Sequence, residues 1–211
     1  MEILYYNSLD STQKFLIDAI KKRDLSAPIA VVTNEQTDGI GSRGNSWNSF
    51  KENLYFSFAF PIKDLPKDME IVSASIYFSY IFKELLNETD SKIWLKWPND
   101  FYLGDRKAGG TITQVVDENL ICGIGLNIKE ANNEFAVLDI DFDKKIFLNI
   151  FFNELKKAPS WKKIFRKYSL EFELSKGYHT HYQENKISLK KAILNSDGSL
   201  TLGDKRIYSL R

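Results

Sequence analysis

Apolar and polar positions alternate along the chain in a way that predicts strands and helices following one another without a long linker. Residues 29–33 and 54–60 are apolar runs rich in β-branched or aromatic side chains, which are typical of buried strands. Residues 69–86 are apolar on most faces of a helix, as expected for a helix packed against a sheet. Side chains suited to an N-cap at 10–12 precede apolar residues with helical spacing at 15–20.

The middle of the chain continues this succession of elements. A loop rich in glycine, serine and asparagine is predicted at 38–49. The later predicted elements are a strand at 93–97 ended by a turn at 98–100, a hairpin with a Gly-Asp turn at 103–107, paired strands at 111–116 and 120–125, and helices at 142–157 and 161–168. Together they predict an α+β fold, a mixed β-sheet with packed helices, for a catalytic domain over residues 1–175.

After Lys176 the pattern changes to short strands separated by turn residues. The predicted strands lie at 177–182, 186–194, 199–202 and 206–210. Four short strands in so few residues favour a small β-barrel or half-barrel packed on the main domain. Residues 176–211 are therefore predicted to be a small second domain.

The composition favours a globular protein with no strong charge. Lys+Arg 29 against Asp+Glu 28 leaves no basic surplus, so no nucleic-acid partner is expected. Neither a signal peptide nor an apolar stretch of about 18 residues is visible, so no membrane association is expected. The single cysteine, Cys122, lies in an apolar run and is expected to be a buried thiol. A cytoplasmic location is the expectation that fits these features.

Three segments carry residues suited to chemistry. Gly39 to Gly44 could cradle an anion with its N–H groups, although it matches neither common phosphate motif and a plain flexible loop is the simpler interpretation. The second segment runs from Lys96 to Asp100 and is followed by Lys107 and two glycines. A lysine beside glycines can meet a carboxylate or phosphate, although most such lysines are simply solvated. The third, 123–127, ends a strand with small residues that would admit a ligand.

The order and spacing of these segments resemble the biotin protein ligase family along its whole catalytic domain. The resemblance implies a fold related to class II aminoacyl-tRNA synthetases and biotin ligases, with a small, shortened SH3-like β-barrel at the C-terminal end. Because the match begins near residue 8, it further implies the group without an N-terminal DNA-binding domain. The residues that carry the resemblance are Asp10-Ser11-Thr12-Gln13, Gln36 with the glycine loop and Trp47, Lys96-Trp97-Pro98-Asn99-Asp100 with Lys107 eleven residues after Lys96, Gly110, and Gly123 to Asn127.

The resemblance also implies roles for individual residues. Lys107 and Arg43 would be catalytic, and Lys107 would lie between the biotin carboxylate and the α-phosphate, with Gly110 giving it clearance. Trp47, Asn99 and Asn127 would lie near the nucleotide. The residues that would contact biotin or its adenylate are Ser11, Thr12, Gln13, Gln36, Gly39, Ile40, Gly41, Ser42, Arg43, Lys107 and Gly110.

The implied activity is ATP-dependent activation of biotin to biotinyl-5′-AMP and transfer of biotin to a lysine. The acceptor would be the biotin carboxyl carrier protein of acetyl-CoA carboxylase or a related carboxylase. ATP would enter with Mg²⁺ as a co-substrate, and no protein metal ligand is expected, because magnesium travels with the triphosphate. His179 and His181 share a face of a predicted strand, but no third ligand has suitable spacing. The sequence is compatible with a homodimer and does not decide the oligomeric state.

The glycine loop departs from the pattern Gly-Arg-Gly-Arg-x-Gly-Arg-x-Trp that is usual in the family. Ile40, Ser42 and Asn45 stand at the three arginine positions, and Arg43 occupies the variable position. We therefore expect either weaker retention of the adenylate or compensation by Arg43.

Other functions would share much of this pattern. A lipoate or octanoate ligase or transferase of the same fold resembles a different signature, an Arg-rich loop with a Gly triplet, which this sequence lacks. A biotin-responsive repressor would need a winged helix ahead of the match. A non-catalytic module that binds biotin or adenylate would have no need of Lys107. Biotin-dependent pyrophosphate exchange, with lipoate tested in parallel, separates these functions.

Overall fold

The central strand of the fold, at residues 54–61, alternates large and small side chains, so its two faces pack differently. The computed structural model describes residues 1–182 and 185–208. In Leu54–Pro61 all eight residues are buried. Phe56 and Phe58 pack with aromatic rings of two helices on one face, whereas Ser57 faces the opposite side, where it meets Thr12. One face thus supplies the core, and the other is left open enough for a cavity.

The described residues form fourteen strands, four α-helices and three short 3-10 turns. The strands are β1 Glu2–Tyr6, β2 Ile29–Thr33, β3 Gly39–Ile40, β4 Ser46–Trp47, β5 Leu54–Pro61, β6 Trp94–Lys96, β7 Asp100–Leu103, β8 Arg106–Val116, β9 Asn119–Leu126, β10 His179–Tyr182, β11 Asn185–Ser188, β12 Ile193–Leu194, β13 Leu200–Leu202 and β14 Lys205–Ile207. The α-helices are α1 Thr12–Lys22, α2 Ala74–Asn87, α3 Lys144–Lys156 and α4 Trp161–Ser175, and the 3-10 turns are Ser42–Gly44, Ile62–Asp64 and Ile71–Ser73.

Seven strands form one mixed sheet in the order β1-β2-β5-β9-β8-β7-β6. Only the β1–β2 pairing is parallel within it. The main core, which includes the rings of α2 and α3, covers one face, and a smaller cluster with Leu16 and Ile20 of α1 covers part of the other. Among the described helices none combines the length and apolarity needed to cross a bilayer.

Helix α4 closes the edge of the sheet at β6. Glu171 accepts a hydrogen bond from the Leu95 backbone N–H at 2.6 Å, and Ser175 accepts one from the Trp97 N–H at 3.0 Å. These two side chains are one helical turn apart, so they satisfy backbone groups that a further strand would otherwise pair. This capping holds in place the strand that carries Lys96.

The C-terminal segment is attached to the main core through the turn at 195–198. Trp97 Nε1 donates to the Gly198 carbonyl at 2.8 Å, and Trp161 Nε1 donates to the Ser196 carbonyl at 2.7 Å. Ser73 at the start of α2 donates to the Asp197 carbonyl at 2.7 Å. Because these donors are buried or half-buried, the segment is part of the structure that supports α2 and β6.

Several predicted elements are confirmed, and others need correction. The helix beginning near residue 12, the strands at 29–33 and 54–60, the central helix and the mixed sheet are all present. The Ser11 side chain caps α1 by accepting from the Lys14 N–H, and Cys122 is buried, which raises the pKa of its thiol. The N-terminal strand β1 was not foreseen, because its edge position leaves a mixed burial pattern.

The corrections concern segment ends and the C-terminal architecture. The predicted helix 161–168 continues to Ser175, and the loop 38–49 contains the β3–β4 hairpin. The predicted strand 186–194 is interrupted by a turn between β11 and β12. Within residues 179–182 and 185–207 the strands form separate two-stranded and three-stranded sheets, not a closed barrel. The last two residues of the predicted strand 206–210 lie outside the described part of the chain.

We expect Gly198→Ala to destabilise the fold more than Gly203→Ala. Both glycines have positive φ, 78° and 58°, so both variants carry a similar backbone cost. A Cβ at Gly198 would lie 2.7 Å from Ile76 Cδ1, whereas the space around Gly203 is open. Urea unfolding should show an additional loss of about 1–3 kcal/mol for Gly198→Ala. Equal losses in the two variants would contradict the proposed packing of this turn.

Candidate active site

A cavity of about 290 Å³ lies on the sheet face that carries α1. The start of α1, the β3–β4 hairpin and strands β5, β7, β8 and β9 form its walls. Eleven residues expected at the site line it: Ser11, Thr12, Gln13, Gln36, Ile40, Gly41, Ser42, Trp47, Asn99, Lys107 and Gly110. Lining residues to which the sequence had given no role at the site include Ser46, Ser57, Asp100, Thr111, Ile112 and Phe135.

Glycines of β9 form the floor of the cavity and allow two side chains to approach the sheet. A Cβ at Gly123 would lie 2.6 Å from Gln13 Oε1, and a Cβ at Gly125 would lie 2.9 Å from the Trp47 ring. Any larger residue would therefore displace Gln13 or Trp47. The cavity therefore keeps its shape only if these two positions of β9 carry no side chain.

Polar side chains from three elements meet at the α1 end of the cavity. Gln36 Oε1 accepts hydrogen bonds from the Thr12 backbone N–H at 2.9 Å and from the Thr12 hydroxyl at 3.2 Å. The Thr12 and Ser57 hydroxyls lie 2.9 Å apart. Gln13 donates to the Ile121 carbonyl at 3.4 Å, and its buried Oε1 has no hydrogen-bond partner among the described residues. This end offers hydroxyl and amide groups to a neutral polar ligand.

The glycine loop is a short hairpin closed by a 3-10 turn. Gly41 donates its N–H to the Asn45 carbonyl at 2.7 Å, and the Asn45 side chain donates to the Ser42 carbonyl at 2.9 Å. Gly39 packs against Trp47, whose carbonyl would lie 2.8 Å from a Cβ at Gly39, and it does not line the cavity. The Arg43 side chain lies outside the described part of the structure, so its expected contact is not tested.

Two lysines share one carboxylate at the opposite end of the cavity. Lys107 Nζ lies 2.6 Å from Asp100 Oδ1, and Lys96 Nζ lies 3.4 Å from Asp100 Oδ2. Burial alone raises the pKa of Asp100, but the positive charges and hydrogen bonds of Lys107 and Lys96 outweigh it and hold that pKa below its ordinary value. A Cβ at Gly110 would be 3.5 Å from Lys107 Cε, so glycine leaves free space beside the lysine.

A β-bulge places Lys107 on the cavity side of the hairpin. Asp100 pairs with Gly110, but Tyr102 pairs with Lys107, so Ala108 is an extra residue in β8. In a regular ladder Lys107, three residues before Gly110, would point to the opposite face. The Lys107 ammonium instead lies 5.9 Å from the centre of the Trp47 ring, above the cavity floor.

The residues expected near a nucleotide are divided between two adjoining cavities. Trp47 lines the main cavity and also a smaller one of about 80 Å³, which Asn127 and Phe135 line as well. Asn99 lines the main cavity but not this smaller one, and its side chain donates to the Thr111 carbonyl. Asn127 donates to the Ala136 carbonyl at 3.3 Å, so it shapes the segment that closes the smaller cavity.

Potential metal ligands are dispersed over the surface. His179 and His181 are exposed on β10, and across residues 1–182 and 185–208 no three His, Cys, Asp or Glu side chains are grouped to hold a metal ion.

Comparison with known proteins identifies both a family and close structural relatives. The model of the biotin/lipoate A/B protein ligase family matches residues 5–128. The bifunctional ligase/repressor BirA of Escherichia coli (strain K12) is 28% identical over 167 residues, which are 71% of this chain and 51% of that protein. BirA of Salmonella typhimurium is 32% identical over 138 residues, 62% of this chain and 42% of that protein. The chain thus spans about half the length, or less, of these curated relatives.

Two solved structures resemble the chain over nearly its whole length. The biotin acetyl coenzyme A carboxylase synthetase from Helicobacter pylori, with bound biotinylated ATP, has a TM-score of 0.94 and 38% identity, covering 98% of this chain and 99% of that one. The biotin protein ligase from Aquifex aeolicus, in complex with biotin and ATP, has a TM-score of 0.79 and 25% identity, covering 100% and 96%. The match to both includes the short C-terminal strands.

The charge arrangement predicts how Asp100 contributes to stability at different pH values. A carboxylate whose pKa is lowered by folding stabilises the protein above its unfolded pKa, about 3.9, and this contribution is lost as the pH falls towards the folded pKa. Asp100→Asn should therefore destabilise the protein more at pH 7 than at pH 3. Urea unfolding at both pH values measures this change.

The exposed pair of Asp141 with Lys129 is the matched control. Its two charged atoms are also 2.6 Å apart, but the Asp141 side chain is 84% exposed. Asp141→Asn should have little effect at either pH, because exposed pairs are screened by solvent. A destabilisation by Asp100→Asn that is the same at pH 7 and pH 3 would contradict the prediction.

Proposed function

The chain belongs to the biotin/lipoate A/B protein ligase family, and we propose that it is a biotin–protein ligase that activates biotin with ATP and transfers it to an acceptor lysine. The observation that carries the proposal is a single cavity with uncharged polar groups at one end and Lys107 at the other. Biotin has the same division, because its ureido ring is neutral and polar and its carboxylate is charged. The similarity to the Helicobacter pylori synthetase with bound biotinylated ATP supports this choice within the family.

The polar end suits the ureido ring of biotin. Thr12, Gln36 and the unpartnered Oε1 of Gln13 present hydroxyl and amide groups in a buried setting. A buried donor or acceptor without a partner costs about 1–3 kcal/mol, so a ligand that fills these positions gains affinity and selectivity. A fatty-acid chain or a dithiolane ring would leave the Gln13 Oε1 acceptor unsatisfied, which favours biotin over lipoate.

The charged end suits the first half-reaction. The biotin carboxylate attacks the α-phosphorus of ATP, the bond to the β-phosphate breaks, and pyrophosphate leaves with its magnesium. Two anions must approach each other in this step, and the Lys107 ammonium reduces their repulsion. The smaller adjoining cavity, lined by Trp47, Asn127 and Phe135, is the place we assign to the nucleoside.

In the second half-reaction an amine of the acceptor protein attacks the acyl carbon of the adenylate. The bond between acyl carbon and phosphate oxygen breaks, AMP leaves, and the amine loses a proton as the amide forms. The adenylate is a mixed anhydride that water hydrolyses, so it has to be covered between the two steps. The hairpin that carries Gly41 and Ser42 lies over the cavity and supplies this cover. We propose a biotin carboxyl carrier protein as the acceptor.

Lys107→Ala should lower the rate of biotin-dependent pyrophosphate exchange by about 10²–10³-fold, because one preorganised charge contact is lost. Lys157→Ala is the control, since Lys157 also pairs with a carboxylate at 2.6 Å but lies at the end of α3, 69% exposed. Exchange with biotin at the wild-type rate in Lys107→Ala would contradict the assigned role. Exchange that depends on lipoate and not on biotin would contradict the proposed substrate.

The uncharged residues at the three arginine positions of the loop predict that the adenylate is released faster than from a ligase with arginines there. A hydrogen bond from a guanidinium to an anion contributes about 1.5–3 kcal/mol, which corresponds to roughly tenfold to a hundredfold in retention. Ser42 lines the cavity and stands where the family has an arginine. Ser42→Arg should therefore slow adenylate release and reduce labelling of bystander lysines.

Ser42→Gln is the matched control, because it adds length without charge and should leave release nearly unchanged. Arg43→Ala tests the alternative that Arg43 substitutes for the missing arginines. If release becomes much faster in Arg43→Ala while Ser42→Arg has no effect, the loop retains the adenylate through Arg43 and our expectation of fast release is wrong. A release time course with radiolabelled adenylate measures all three variants.

A further inference from the structure

Two described lysines are almost completely buried, and their surroundings differ. Lys83 is 4% exposed and lies 3.0 Å from Glu84 and 2.5 Å from Glu171, so two carboxylates surround one ammonium. Lys96 is 5% exposed, and its one ion pair among the described residues is to Asp100, which Lys107 already contacts at 2.6 Å. A buried ammonium loses its hydration and needs compensation. Sharing one carboxylate between two ammonium groups costs free energy of folding, so stability alone does not explain this arrangement.

The walls of the cavity carry few charged side chains. Among the described side chains that line it, Lys107 is the single cation and Asp100 the single anion. Ile40, Ser42 and Asn45 are uncharged where an arginine would have added positive charge. If Lys107 and Asp100 stood alone, their charges would cancel and the cavity would offer an anionic substrate no net attraction.

The strand register places Lys96 where it changes this balance. Lys96 pairs with Asp100 between β6 and β7, and Asp100 pairs with Gly110 between β7 and β8. Asp100 therefore lies between the two lysines, with Oδ2 towards Lys96 and Oδ1 towards Lys107. Lys96 does not line the cavity. Its ammonium also lies 5.4 Å from the centre of the Tyr102 ring, a cation–π contact that helps to keep it buried.

We infer that Lys96 is a positioning residue that neutralises Asp100, so that Asp100 can orient Lys107 without cancelling the positive charge Lys107 presents to the reacting carboxylate and phosphate. Asp100 acts as a fixed anchor, Lys96 balances its charge, and the three groups together keep one net positive charge at the reacting end of the cavity. The inference rests on the proposed function and adds a residue that touches neither substrate.

A set of four enzymes tests this charge balance: wild type, Lys96→Met, Asp100→Asn and the double variant Lys96→Met/Asp100→Asn. The measurement is kcat and KM for biotin-dependent pyrophosphate exchange. Lys96→Met leaves one anion opposite one cation, and kcat should fall by about 10²-fold, with KM for biotin changed much less. Asp100→Asn loses the anchor but keeps the positive charge, and kcat should fall by about tenfold.

The double variant decides between a charge role and a structural role. It restores one net positive charge, so its kcat should rise above that of Lys96→Met and reach the level of Asp100→Asn, about tenfold faster. If Lys96 only supports the fold, the double variant will differ from Lys96→Met in melting temperature and not in kcat of the folded protein. A double variant no faster than Lys96→Met would overturn the inference, as would wild-type kcat in Lys96→Met.

Two further variants separate a loss of folding from a loss of charge. Lys96→Arg keeps the charge and should recover most of kcat. Lys83→Met removes the other buried lysine and should lower the melting temperature without lowering kcat of the folded protein at 25 °C. A fall in kcat in Lys83→Met equal to that in Lys96→Met would overturn the inference. If the wild type itself shows no biotin-dependent exchange, the proposed function fails and the inference fails with it, whereas normal wild-type exchange without rescue overturns the inference alone.

Discussion

The structure depends on a sheet whose two faces carry side chains of very different size. On the helix side, Phe56 and Phe58 pack with rings of α2 and α3. On the other side, the strand register lines up one row across five strands: Tyr55, Gly125, Gly110, Asp100 and Lys96. Two adjacent glycines beside an ion pair create a depression that is charged at one end. Large residues at these glycine positions would fill it, so the cavity exists because the central strands are bare on this face.

Local sequence patterns were sufficient for most elements, and the family resemblance indicated eleven of the residues that line the cavity. The capping residues before α1, the alternating strand at 54–60 and the Gly-Asp hairpin each depend on neighbours a few residues away. Lys107 and Gly110 could be selected because the spacing from Lys96 resembles a known family. The resemblance did not reveal the partner of Lys107, and Asp100 was interpreted as a turn residue.

The features that sequence missed depend on contacts between distant segments. Glu171 caps the β6 edge across 76 residues, and the Gly198 carbonyl binds Trp97 across 101 residues. The Ser73 hydroxyl likewise anchors the Asp197 carbonyl in the turn at 195–198 across 124 residues. No periodicity within a short window carries this information, because each partner is chosen by the assembled core.

The bulge at Ala108 also ties the two cavities together. The Lys107 carbonyl accepts from the Ala136 N–H, and the Ala108 carbonyl accepts from the Asn127 N–H, both at 2.8 Å. The backbone that aims Lys107 is thus the same backbone that holds the segment closing the smaller cavity. The two cavities are therefore connected through these backbone hydrogen bonds. A ligand that displaces residues 127–136 also strains the strand that carries Lys107, so neither cavity can change shape independently of the other.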